Sequence, residues 1–174
     1  MIQRSFLAAA LAATLAVGAA APASVAAADA PKGTLQIDKR SLHLGEITAF
    51  AELVGVGTKK LAFSDVLPSQ ELNEILPEAT RVAQESQVLL YREPQLIVTD
   101  LFPKDVAKGK EVLLIYKGNT LDEYQALKRE KDALVKAGKY SGKAREDIAR
   151  KLGKLLSYPD SGIDMLLKKN TERE

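Results

Sequence analysis

From Gly33 to Asp65 the apolar positions recur with a period of two. Leu35 and Ile37 alternate with polar neighbours, Asp38 to Ser41 interrupts, and Leu42 and Leu44 resume the pattern. Ile47, Ala49, Ala51 and Leu53 continue it in the opposite phase. Alternation of this kind marks a half-buried strand, with one face on a core and one in water. A one-residue slip in a strand turns every later side chain to the wrong face unless an extra residue is absorbed. Glycine tolerates the backbone of such a bulge, so the pattern predicts a β-bulge or sharp bend at Gly45. Gly55-Val56-Gly57-Thr58 reads as a turn, and Leu61 and Phe63 as the start of a returning strand. The expectation is a meander of three antiparallel strands.

Beyond Pro68 the spacing becomes mixed. Leu72, Ile75 and Leu76 share one helical face behind Ser69, a good helix cap, and Pro77 removes a backbone donor from that run. The expectation is a bent or broken helix from Ser69 to about Gln84. Val88 to Tyr91 and Leu96 to Val98 are short apolar runs separated by Arg92-Glu93-Pro94-Gln95, which predicts a second hairpin over Gln87–Thr99. Val112 to Tyr116 is unbroken and apolar, as suits a central strand buried on both faces. Thr120-Leu121-Asp122-Glu123 has the form of a capping box. Leu121, Tyr124, Leu127, Lys131 and Leu134 then trace one helical stripe, and Gly138 is a natural stop. Ala144, Ile148, Leu152 and Leu155 mark a second helix after Ser141, and Ile163, Leu166 and Leu167 a short third. The fold class that follows is α+β. It has a mainly antiparallel sheet or partly open roll of about six strands, one covering helix and a C-terminal helical hairpin.

The amino terminus changes the picture of where the chain works. Arg4, an apolar run from Phe6 to Ala20 and the small residues Ala26, Ala27 and Ala28 have the layout of a secretory signal peptide, with cleavage near Ala28. The run is shorter and poorer in large apolar residues than the roughly 20 that span a bilayer, so no transmembrane anchor is expected. The division expected is a signal peptide over 1–28, a β-rich region with one helix over 29–117, and a C-terminal helical region of the same domain over 118–174. Localisation is then periplasmic or secreted. The 174-residue chain contains no cysteine, which removes thiol nucleophiles, thiolate metal sites and disulfides together. The formal net charge is +2 with both signs interleaved, unlike the basic stripe of a nucleic-acid binder.

Candidate chemistry is sparse. His43 is the only histidine. Between Leu42 and Leu44 it points from the polar face of the expected strand, with no second histidine or carboxylate cluster at metal-ligand spacing. Gly-x-Ser-x-Gly is absent, so a Ser-His-Asp arrangement has no support. Asp38, Glu46, Glu52 and Asp65 are carboxylates of the opening stretch. A pair flanking a cleft would suit glycoside hydrolysis, and scattered solvated carboxylates are the ordinary alternative. Gly55-Val56-Gly57-Thr58-Lys59-Lys60 lacks the spacing of a phosphate loop. The charged outer faces of Leu121 to Leu156 suit a solvated helix pair better than a lipid-binding surface, because acidic residues are mixed in. No catalytic, cofactor-binding or metal-ligating residue is assigned.

The pieces Leu35-Gln36-Ile37-Asp38-Lys39, Leu42-His43-Leu44, Thr48-Ala49-Phe50-Ala51 and Phe63-Ser64-Asp65-Val66-Leu67-Pro68 carry one resemblance. Together they resemble a group of secreted, β-rich bacterial proteins of uncharacterised function, departing at Arg40-Ser41 where the turn glycine is missing. The resemblance implies an exported β-rich module without enzyme activity. The function expected is that of an exported, non-enzymatic interaction or ligand-binding protein, with an envelope protein or small ligand as partner and no cofactor. The alternatives are an envelope-polymer hydrolase using paired carboxylates, and a homodimeric structural protein joined through its C-terminal helices.

Overall fold

The first element of the computed structural model, which describes residues 38–173, is a helix where strands were expected. Helix α1 (Lys39–Gly55) buries Ile47, Ala51 and Val54, with Leu44 and Phe50 packed beside them. These positions recur every three or four residues, so one helical stripe accounts for the run without any slip. The change of phase at Gly45 is that stripe sampled at every second residue. Gly45 is an exposed helical residue, and there is no bulge. Leu42 and Leu53, central to the alternating pattern, are 55% and 38% exposed. Asp38 begins the helix, accepting the Arg40 amide at 3.2 Å and the Ser41 hydroxyl. Leu35, Ile37 and the export segment lie outside the described residues.

Strand β1 (Leu61–Phe63), helix α2 (Ser69–Glu85), strand β2 (Leu89–Glu93) and strand β3 (Val112–Tyr116) follow. Among the described residues the sheet has three strands and not about six, in the order β1-β3-β2, both pairings antiparallel. Leu61 faces Tyr116 on one side of β3 and Leu89 faces it on the other. The hairpin expected over Gln87–Thr99 has only its first arm. Past Pro94 the chain leaves the sheet, and buried Ile97 spends its amide on the Tyr124 hydroxyl at 3.1 Å. Helix α2 passes through Pro77 unbroken. Pro77 lies on the exposed face, where the carbonyl that loses its donor can be hydrated.

Helices α3 (Thr120–Lys136), α4 (Gly142–Leu155) and α5 (Asp160–Lys169) complete the described chain. The capping box does not form: Thr120 already lies inside α3 and its hydroxyl donates to the Lys117 carbonyl at 2.8 Å. The stop is as expected. Gly138 has φ of 65°, with Gly138 N–H on Val135 O and Lys139 N–H on Leu134 O, the paired bonds of a Schellman motif. With α1 and α2 in place, the segment up to residue 117 is not a β-rich region with one helix. The described residues belong to one compact unit.

The architecture is a three-layer sandwich. Val112, Leu113, Leu114 and Ile115 are fully buried. Ala62, Leu113 and Ile115 pack on α1 and α2 through Ile47, Ala51, Leu72, Ile75 and Ala79. Leu61, Val112 and Leu114 pack the other way, on Tyr124, Leu127, Ile148, Leu152 and Ile163 of α3, α4 and α5. The long loop 94–111 is tied down by charge. Arg145 of α4 grips the buried Asp100 carboxylate through Nε and Nη2, and Asn170 donates to the carbonyls of Asp100 and Phe102.

At the end of β2, Glu93 is 1% exposed and its carboxylate is held by Lys128 Nζ at 2.9 Å and by the Gln95 amide at 2.8 Å. Removing one partner of a buried pair leaves an uncompensated charge. Lys128→Met is therefore expected to lower unfolding free energy by about 3–5 kcal/mol in urea denaturation, and adding Glu93→Gln to recover most of the loss. Equal stability of the single and double variants would show that Glu93 is held by its amide contact alone.

Candidate functional site

The two helical layers part along β1, an edge strand, and leave a pocket of about 370 Å³. Glu46 and Phe50 of α1 form one wall, and Leu96, Phe102 and Val106 of the long loop another. Leu156 and Tyr158 of the α4–α5 turn close the end next to Lys59. A volume between about 300 and 1,000 Å³, mostly apolar with a few convergent polar groups, is the usual form of a small-molecule site.

Two sets of polar groups face this space. The first is Lys59, whose Nζ donates to the Leu156 carbonyl at 2.8 Å. The ammonium also lies 5.9 Å from the centre of the Phe50 ring and 5.1 Å from that of Tyr158. Burial alone holds its pKa below the ordinary lysine value, and no carboxylate among the described residues pairs with it. A partly desolvated ammonium between aromatic faces gains some cation–π stabilisation but remains short of a counter-ion. Its place is set by the loop after α1, where Gly57 at φ of 81° makes the turn and Lys60 N–H bonds Ser157 Oγ at 2.8 Å.

The second set is Glu46 and Asp65, with His43 beside them behind the lining. His43 and Glu46 are three residues apart on α1 and so share a face. Asp65 follows β1 directly. His43 Nδ1 lies 2.9 Å from Asp65 Oδ2, and one donor or acceptor atom from each of the three residues lies within 4.8 Å of the others. The Glu46 carboxyl is pushed up to about 7, first by burial and then by its hydrogen bond and repulsion with Asp65, against a smaller lowering by His43. Ser64 holds the Asp65 segment in place. It exchanges backbone and side-chain bonds with Leu113, its hydroxyl accepting the Leu113 amide at 2.9 Å and donating to the Asp65 carbonyl at 2.8 Å.

Of the four carboxylates singled out in the sequence, Glu46 and Asp65 come together, Asp38 serves as a helix cap and Glu52 is exposed on α1. His43, expected alone on a polar strand face, has Asp65 at 2.9 Å and a Glu46 oxygen within 4.8 Å, so a carboxylate cluster does accompany it. Lys59 was expected in a hairpin turn; the loop instead joins a helix to a strand and delivers the ammonium to the pocket. A larger groove of about 640 Å³ runs between α3 and α4, over the charged helical faces. Several of its cations are paired: Lys151 with Glu130, Arg150 with Glu146 and Asp164, and Lys154 with Asp160. Among the described residues no helix is long and apolar enough to cross a membrane.

No protein-family model, no curated protein and no solved structure matches the chain. The geometry of the pocket is therefore what bears on function.

Ser64→Ala removes the acceptor of the buried Leu113 amide. The expected cost is about 1–3 kcal/mol, read as a lower urea midpoint at unchanged slope. A loss below about 0.5 kcal/mol would mean that the Leu113 amide finds another acceptor.

Proposed function

We propose that the protein is an exported, non-enzymatic binding protein whose ligand is a small amphipathic anion held in the pocket beside β1. The observation that carries this reading is Lys59: an ammonium drawn into an apolar pocket without a carboxylate partner among the described residues. An anionic head on Lys59 Nζ would supply the missing counter-charge as a charge-assisted hydrogen bond. Phe50, Phe63, Leu96, Phe102 and Tyr158 would cover the apolar body. Export rests on the amino-terminal pattern of Arg4, Phe6–Ala20 and Ala26–Ala28, and places the ligand in the periplasm or outside the cell.

Hydrolysis by the carboxylate pair receives less support. Glycosidases keep their two carboxyl groups about 5–9.5 Å apart so that substrate or water fits between them. One carboxylate oxygen of Glu46 and one of Asp65 lie within 4.8 Å of each other, closer than such a gap. A homodimer through the C-terminal helices has little apolar surface to use: Val135 and Met165 are exposed singly, on α3 and α5.

Three probes of one chain length test the reading: decanoate, decanol and decylamine, titrated against the purified protein with thermal unfolding and calorimetry as readouts. Decanoate is expected to bind at least about tenfold more tightly than decanol, about 1.4 kcal/mol, and decylamine more weakly than either. Lys59→Met is expected to abolish the preference of decanoate over decanol. Binding of none of the three, or a preference for the amine, would overturn the proposal.

A further inference from the structure

The same edge of the sheet carries a second cluster of polar side chains, separate from Lys59. One carboxylate oxygen of Glu46 and one of Asp65 lie within 4.8 Å of each other, and neither residue has a salt bridge to a lysine or arginine among the described residues. Elsewhere the protein sets a cation on its inward-facing carboxylates. Glu93 has Lys128, Asp100 has Arg145, and Glu111 has Arg92. At Glu46 and Asp65 the third group is an imidazole, His43, with its side chain 15% exposed.

We propose that His43, Glu46 and Asp65 form a site for a divalent transition-metal ion of the zinc type. The donor set is one imidazole nitrogen and two carboxylate oxygens, the mixture that borderline divalent ions accept. Calcium would ask for six to eight oxygens and magnesium for a near-ideal octahedron, neither of which these residues provide. Ligand bonds of about 2.0–2.2 Å place tetrahedral ligand atoms roughly 3.3 Å apart. The three donors lie within 4.8 Å of one another, so rotamer adjustments of these partly exposed side chains bring them to that spacing. The backbone is already arranged. His43 and Glu46 project from one face of α1, and Asp65 is fixed by the Ser64 bonds to Leu113. Three protein ligands would leave a fourth position open for water or a further ligand. The ion would take the place of the His43–Asp65 hydrogen bond and bring a positive charge to the two carboxyl groups.

His43 is the only histidine, so the unaltered protein carries its own reporter. After dialysis against a chelator, protein labelled with 15N in histidine gives a single pair of imidazole resonances. Titration with ZnCl2 is expected to shift that pair with a stoichiometry of one ion per chain, and calorimetry to give the same stoichiometry. Glu46→Gln and Asp65→Asn are each expected to weaken binding by at least about tenfold, or 1.4 kcal/mol. Lys59→Met is expected to leave zinc binding unchanged, which separates this site from the anion reading. An imidazole signal unmoved at saturating zinc would overturn the proposal. So would equal affinity and stoichiometry in all three proteins, which would place the ion on other surface carboxylates.

Discussion

Strand β3 is the element on which the rest depends. Val112 to Ile115 have no polar face, so both sides of the strand must be removed from water at once. Its backbone is paired on both edges by β1 and β2, and its side chains alternate between two helical layers. Three short strands alone would bury little; the helices supply most of the apolar area on either face. Even the end of the ladder is satisfied by substitution. Beyond β1, the Ser64 hydroxyl takes over as acceptor for the Leu113 amide. The pocket lies where this arrangement ends, along the unpaired edge of β1, with α1 on one side and the α4–α5 turn on the other.

The legible elements were those whose local signal and tertiary role agreed. The unbroken run 112–116 suited a strand buried on both faces, and β3 is one. Tyr124 and Leu127, then Ile148, Leu152 and Leu155, had helical spacing that the core confirms. Helix α1 was not legible because Leu42, Ala49 and Leu53 put apolar residues at positions that are exposed in the fold. Those three filled in an apparent alternation and masked the stripe of Ile47, Ala51 and Val54. The slip at Gly45 was the sign that period two did not fit, and it is a helix that removes it. Leu96 to Val98 failed for a different reason. The run is buried in part, but Tyr124 and Lys131 satisfy its backbone in place of a neighbouring strand, through bonds from distant chain that local pattern does not carry.

The misreading of α1 also hid the site. In a strand, even with a bulge at Gly45 that puts both on one face, positions 43 and 46 stand roughly 10 Å apart; on a helix they are neighbours on one face, about 5–6 Å apart. His43 and Glu46 therefore become neighbours only once the helix is recognised. Asp65 joins them by tertiary packing, since 22 residues separate it from His43. Lys59 carried no signal in sequence beyond a turn, because its distinguishing property is the lack of an anionic partner in the folded chain.

That lack gains weight from the rest of the charge arrangement. Inward-facing carboxylates at 93, 100 and 111 each have a cation, and the exposed faces of α3, α4 and α5 are stitched by ion pairs. At the edge of β1 the arrangement differs: an ammonium without a carboxylate partner among the described residues lines the same pocket as Glu46 and Asp65, where the His43 imidazole is the ion-pair partner of Asp65. A fold that bore such charges for stability alone would gain by replacing them with apolar residues or by pairing them. Along the unpaired edge of β1 the proposed anion would meet Lys59, and the proposed metal ion would meet His43, Glu46 and Asp65, so each charge would gain a partner only on binding.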